Sequence, residues 1–93
     1  MNNLISVVVT CYNHEKYIEQ CLRSVFNQTY TNIELIVLDD GSTDSSTQII
    51  QEVLKDSPFE TRFETHENLG VVKNRNLGLE LIRGDYLLFV DSD

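Results

Sequence analysis

Basic residues are scarce in this chain: 7 Lys and Arg stand against 15 Asp and Glu in 93 residues, a formal net charge of −8. Nucleic acid and acidic membrane surfaces select clustered Lys and Arg, so neither is expected as a partner. Long apolar runs are missing too. Nothing approaches the ~20 residues that span a bilayer, and the start, Met1-Asn2-Asn3 followed by an apolar run over 4–9, lacks the basic n-region and the length of a secretory signal. The two cysteines, Cys11 and Cys21, match neither a disulfide scaffold nor a CxxC metal spacing, and are expected as reduced thiols in a cytoplasmic protein. There is no Walker motif and no GxGxxG, which argues against P-loop NTPases and dinucleotide dehydrogenases.

What is present is a regular alternation of periods. Residues 4–9 form a β-branched run apolar on both sides, the pattern of a strand buried in a parallel sheet. Over 15–27 the period changes: Ile18, Cys21, Leu22, Val25 and Phe26 make one helical stripe, with Asn13 the expected N-cap. Residues 33–38 are a second apolar run, interrupted at Glu34 and stopped by the turn signal Asp39-Asp40-Gly41-Ser42. Ser42 or Thr43 is the expected cap of a second helix carrying Ile49, Ile50, Val53 and Leu54, which Pro58 ends. Residues 60–64 read as an edge strand anchored by Phe63. Residues 70–82 read as a third helix with Val71, Leu77, Leu81 and Ile82 for the core and Gly78 marking a close approach. Residues 86–90 read as a fourth strand.

The expected fold is therefore α/β: a β-α-β-α-β-α-β chain with a parallel sheet, strand order 3-2-1-4, and helices on both faces. Ligands of such sheets bind at the carboxyl ends of the strands, where the order reverses. Four stretches meet there: Thr10-Cys11-Tyr12-Asn13, Asp39-Asp40-Gly41-Ser42, the segment with His66, Asn68 and Gly70, and Asp91-Ser92-Asp93. Clustered aspartates repel one another and call for a cation or donors. Asp91 and Asp93 can turn toward one hard divalent ion, Mg²⁺ or Mn²⁺. Arg75 can meet phosphate, Tyr12 can stack on a flat ring, and Asp40 can accept from a ring N–H. Together these describe a site for a nucleotide diphosphate.

Plainer readings apply to each residue. Asp39 and Asp40 suit a helix-capping turn, Tyr12 a surface aromatic, and Arg75 a solvated charge or a partner for Glu67. Cys11 and Cys21 suit core filling, and His14 and His66 the surface. A receiver-like signalling module is a second class, but it wants an acidic pair after the first strand and a fifth strand, where this chain has Thr10-Cys11-Tyr12 and no fifth strand.

The segments ISVVVTCYN (5–13), LRSVFNQTY (22–30), NIELIVLDDGSTD (32–44), NLG (68–70) with RNLG (75–78), and GDYLLFVDSD (84–93) resemble, in that order, the family 2 glycosyltransferases, inverting enzymes with a Rossmann-like GT-A fold. The resemblance implies transfer of a hexosyl group from a nucleotide-diphosphate sugar, most often UDP-linked, to an acceptor it does not specify. It implies that Thr10, Tyr12 and Asp40 surround the base, with Asp39 opening the same acidic turn. Arg75 would face the phosphates. Asp91 and Asp93 would form the DxD pair, the first nearer the ribose and the second on the metal. Two departures are Asn74, where a small residue is common before the arginine, and the lack of a proline near Thr10 and Cys11. The resemblance further implies that residues 1–93 are the nucleotide-sugar-binding N-terminal part of a GT-A domain cut at the DxD motif. Its general base would lie beyond Asp93, so the piece alone would be inactive. A non-catalytic nucleotide-binding or interaction fragment is the alternative. A strand over 86–90 left unpaired on its outer side predicts self-association, and a donor of this kind places the site in the cytoplasm.

Overall fold

The computed structural model describes residues 3–92. Its elements run β1 (Ile5–Cys11), α1 (Ile18–Phe26), β2 (Ile33–Asp39), α2 (Ser46–Val53), a 3-10 turn (Leu54–Asp56), β3 (Glu60–Thr65), α3 (Val71–Leu81) and β4 (Tyr86–Asp91). All strands pair in parallel in the order β3-β2-β1-β4, as the alternation predicts. The order reverses between β1 and β4, where Thr10 stands opposite Asp91.

The continuous apolar runs make the two central strands, and their side chains divide strictly by parity. Val7, Val9, Leu35 and Val37 face α1 and α2, where Ile18, Leu22, Val25, Ile50 and Val53 close the larger half of the core. Val8, Ile36 and Leu38 face the other way, toward Leu77, Leu81, Leu87 and Phe89. Among the described residues only α3 covers that side, and it lies close because Gly78 has no side chain: a Cβ there would sit 2.9 Å from Val8 and 3.1 Å from Leu38.

Three expectations are corrected. The stripe of α3 that meets the sheet runs through Asn74 and Gly78, and Val71, one turn earlier, overhangs the strand ends and is 69% exposed rather than in the core. Asn13 does not cap α1, which starts only at Ile18. Its backbone is left-handed at φ 52, and its Oδ1 accepts from the Thr43 and Asp44 amides across the rim. Ser42 and Thr43 likewise do not cap α2, which starts at Ser46, because Ser42 is held by Asp39. The amide of Ser46 is met by Asp44 instead.

The strands also run one or two residues further than the apolar pattern suggests, so Thr10, Cys11, Asp39 and Asp91 are the last ladder residues, not loop residues. β4 is an edge strand of the described sheet, with Tyr86 and Leu88 both more than half exposed. Among the described residues no helix is long and apolar enough to cross a membrane.

Candidate donor-nucleotide site

The carboxyl ends of β1, β2 and β4 border an open cleft lined by Thr10, Cys11, Tyr12, His14, Asp40, Val71, Asn74, Asp91 and Ser92. It lies at the point where the strand order reverses, the position that parallel α/β sheets reserve for ligands.

Its floor is fixed by backbone continuity. The Asp40 amide donates to the Cys11 carbonyl at 2.9 Å and the Ser92 amide to the Thr10 carbonyl at 3.2 Å, so neighbouring strands stay in register past their ends. A second set of bonds joins the two loops on one side of the cleft. The amides of Asn13, His14 and Glu15 donate to Ser42 Oγ, Ser46 Oγ and Asp44 Oδ2 at 2.9, 3.1 and 3.2 Å. Gly41, at φ +75, lets this turn press against the β3–α3 connection, since a Cβ there would meet the Asn68 nitrogen at 2.5 Å.

The two adjacent aspartates at the end of β2 have different tasks. Asp39 is fully buried beneath the rim and accepts from the Ser42 amide and hydroxyl and from the Thr65 hydroxyl. Asp40 reaches the cleft wall. It accepts from the Leu69 and Gly70 amides at 2.7 and 3.0 Å and lies 3.2 Å from His66 Nε2, which ties the β3–α3 connection to β2.

At the opposite wall Asp91 is half exposed. It accepts from Thr10 Oγ1 at 2.9 Å and from Arg75 Nη2 at 3.2–3.3 Å. The Arg75 guanidinium also stands 5.4 Å over the Phe89 ring, which steers it toward the strand end. Arg75 thus pairs with Asp91, not Glu67, and sits beside the cleft without lining it. Tyr12, 45% exposed, stands at the mouth.

Of the residues singled out from the sequence, Thr10, Tyr12, Asp40 and Asp91 line one cleft, Arg75 is bonded to it, and Asp39 lies below it. Asp93 falls outside the described residues. Sequence reasoning put His14 and His66 at the surface. Both are half-buried, His14 with its Nδ1 2.6 Å from Ser92 Oγ in the cleft wall and His66 against Asp40. Asn74 was missed as a lining residue. Asn74 had a signal, since a polar residue on the sheet-facing stripe of α3 demands a partner. Cys11 and Cys21 have thiol pKa values pushed up by burial, which leaves them unreactive packing groups.

A profile of Glycosyl transferase family 2 matches residues 6–93. The chain belongs to glycosyltransferase family 2. It is 47% identical over 90 residues to an uncharacterized glycosyltransferase of Haemophilus influenzae, covering 97% of this chain and 36% of that protein. It superposes on the crystal structure of S. aureus TarS in complex with UDP-GlcNAc with TM-score 0.86 and 36% identity, over 97% of this chain and 26% of that one. Glucosyl-3-phosphoglycerate synthase from Mycobacterium tuberculosis, in complex with Mn²⁺, UDP and glucosyl-3-phosphoglycerate, gives TM-score 0.80 and 28% identity over 99% and 34%. This chain therefore spans 26–36% of the length of these proteins.

The donor set fits a hard divalent ion only in part. Among the described residues no three His, Cys, Asp or Glu side chains gather around one point. Asp91 alone offers a half-exposed carboxylate at the cleft, and Mg²⁺-type ions accept one or two such ligands when substrate phosphates complete the shell.

Proposed function

We propose that this family 2 glycosyltransferase chain holds the donor-nucleotide half of the active site, taking a nucleotide-diphosphate sugar, preferably UDP-linked, for hexosyl transfer with inversion. The observation that carries the reading is the convergence of Thr10, Tyr12, Asp40 and Asp91 on one cleft at the switch point. In this reading Tyr12 stacks on the base, Asp40 and Thr10 meet its polar edge, and Asp39 holds Ser42 so that the acidic turn keeps its shape. Arg75 brings a guanidinium to the diphosphate, where negative charge grows as the sugar leaves. Asp91, together with Asp93, would hold a divalent ion, Mg²⁺ or Mn²⁺, which when bound supplies charge neutralisation to the leaving diphosphate.

Neither carboxylate at the cleft is placed to act as general base, because Asp40 is engaged by the β3–α3 connection and Asp91 by Arg75. The base and the acceptor site belong to residues outside these 93, so the chain alone binds donor without turning it over. Residues 1–93 are then the nucleotide-sugar-binding part of a GT-A domain, working on the cytoplasmic side where such donors are made.

Calorimetric titration with UDP, with and without Mg²⁺, tests the reading. The expected result is saturable binding that Asp91→Asn weakens at least tenfold when Mg²⁺ is present. Absence of binding by folded protein at millimolar UDP would refute it.

A further inference from the structure

The strand end that carries Asp91 is held from one side only. β4 is an edge strand of the described sheet, and its ladder with β1 stops where Thr10 stands opposite Asp91. Past that point, among the described residues, the main chain is joined to β1 by the Ser92 amide, which donates to the Thr10 carbonyl at 3.2 Å. Ser92 is nonetheless 3% exposed, and its Oγ lies 2.6 Å from His14 Nδ1. A side chain from the β1–α1 loop thus fastens a strand end that its backbone holds lightly.

His14 is a firm point to fasten to. Its amide donates to the Oγ of Ser46, which is fully buried at the start of α2, and its carbonyl accepts from the Tyr17 and Ile18 amides at 3.0 and 2.9 Å. The residues on either side, Asn13 and Glu15, donate from their own amides to Ser42 Oγ and Asp44 Oδ2. A backbone bonded on both sides leaves only the imidazole's own torsions to settle, and the Ser92 contact settles them. In the sequence Ser92 stands between Asp91 and Asp93, so fixing it fixes the chain from which both aspartates branch.

We infer that His14 is a positioning residue for metal-assisted donor binding: through Ser92 it holds the acidic strand end against the cleft wall before a divalent ion and a nucleotide diphosphate arrive. It acts by its hydrogen bond to Ser92 and not by touching the ligand. A site whose competent arrangement is only partly populated binds more weakly by that fraction, which is the loss His14 prevents. The inference rests on the nucleotide and metal reading above and deepens it by naming what presets the acidic strand end.

Reach separates this role from a general need for a polar side chain. Asparagine puts its amide group as many bonds from the backbone as Nδ1, whereas glutamine puts it one bond further out. The test is calorimetric titration of UDP, with and without Mg²⁺, into the wild type, His14→Asn, His14→Gln, Ser92→Ala and the double variant His14→Gln/Ser92→Ala. Mg²⁺ should strengthen UDP binding by the wild type at least tenfold. His14→Gln and Ser92→Ala should each lose about five- to tenfold of that gain, on the order of one hydrogen bond, with metal-free affinity kept within about twofold. His14→Asn should keep the whole gain. The double variant should lose no more than either single one, because both break the same bond. With no ligand present, the Ser92 amide should exchange with solvent several-fold faster in His14→Gln than in His14→Asn, relative to the core amide of Val8; a general loss of stability would move both amides together. Should either disruptive variant fail to fold, the other carries the same comparison with His14→Asn. A gain unchanged in the disruptive variants, a gain lost in His14→Asn, losses that add in the double variant, an unchanged Ser92 exchange rate, or a loss confined to metal-free affinity would overturn the inference and leave the nucleotide site standing. A wild type that binds UDP equally with and without Mg²⁺ would overturn it together with the metal part of that reading. A folded wild type that binds no UDP would overturn the whole reading.

Discussion

The two ends of the sheet use the same device to opposite effect. At the amino end Glu34 is buried, 5% exposed, and accepts from the Ser6 hydroxyl, the Arg83 amide at 2.6 Å and Arg83 Nε at 3.0 Å. Ser6 in turn accepts from the Gly84 amide at 2.8 Å, and Arg83 Nη2 reaches Glu60 at 2.7 Å. At the carboxyl end Asp40 is also buried and also accepts from main-chain amides. Yet every unpartnered buried side-chain atom among the described residues lies at that end, and none lies around Glu34. One network is closed and belongs to folding; the other leaves three buried polar atoms without partners beside a cleft. A buried carboxylate by itself does not mark a site. What marks one here is the unfinished bonding around it.

The largest effect is expected from Glu34→Ala. It strands the Ser6 hydroxyl and the Arg83 amide, and should cost about 3 kcal/mol in urea unfolding. UDP affinity of the folded fraction should not change, and a drop would mean that the two ends are coupled. Asp40→Ala should cost about 2 kcal/mol by freeing the Leu69 and Gly70 amides, and at least tenfold in UDP affinity, so it separates from Glu34→Ala by affecting binding as well as stability. Arg75→Gln removes a half-exposed ion pair and should cost under about 1 kcal/mol, while UDP affinity falls several-fold; equal UDP binding would remove Arg75 from the site.

The smallest effect is on pH dependence. Burial alone would raise the pKa of Glu34, but hydrogen bonds from Ser6 and Arg83 outweigh it and hold it below the ordinary glutamate value. A carboxylate depressed in the folded state contributes stability that is fully present above its unfolded pKa, near ~4.3. That contribution is lost as pH falls through the lower folded value. The stability gap between wild type and Glu34→Gln should therefore be constant at neutral pH and shrink below about pH 4.3. A gap that widened in acid would contradict the assignment.

The same contrast explains what was legible beforehand. Strand order and helix placement follow from apolar periodicity, because each central strand is buried on both faces and each helix shows one stripe. The cleft residues Thr10, Tyr12, Asp40 and Asp91 follow from topology once the strand ends are known. Loop bonding was not legible. Asn13 and Ser42 carry the right chemistry for helix caps, but each is recruited by a partner about 30 residues away or by the buried Asp39, and local pattern cannot register that competition. Ser6 and Glu34 each appear as a polar blemish in an apolar run, and only the register that sets them side by side shows that they belong together. Val71 obeys the helical stripe and still misses the core, because the stripe outruns the sheet.

The most direct test of the central claim is an amide NMR titration with UDP, with and without Mg²⁺. The account predicts saturable shifts at residues 10–13, 39–42 and 68–75, with the amides of Arg83 and Gly84 and the start of β2 unmoved. A dispersed, folded spectrum that stays unchanged at millimolar UDP, or one whose shifts centre on Glu34 and Arg83, would contradict it.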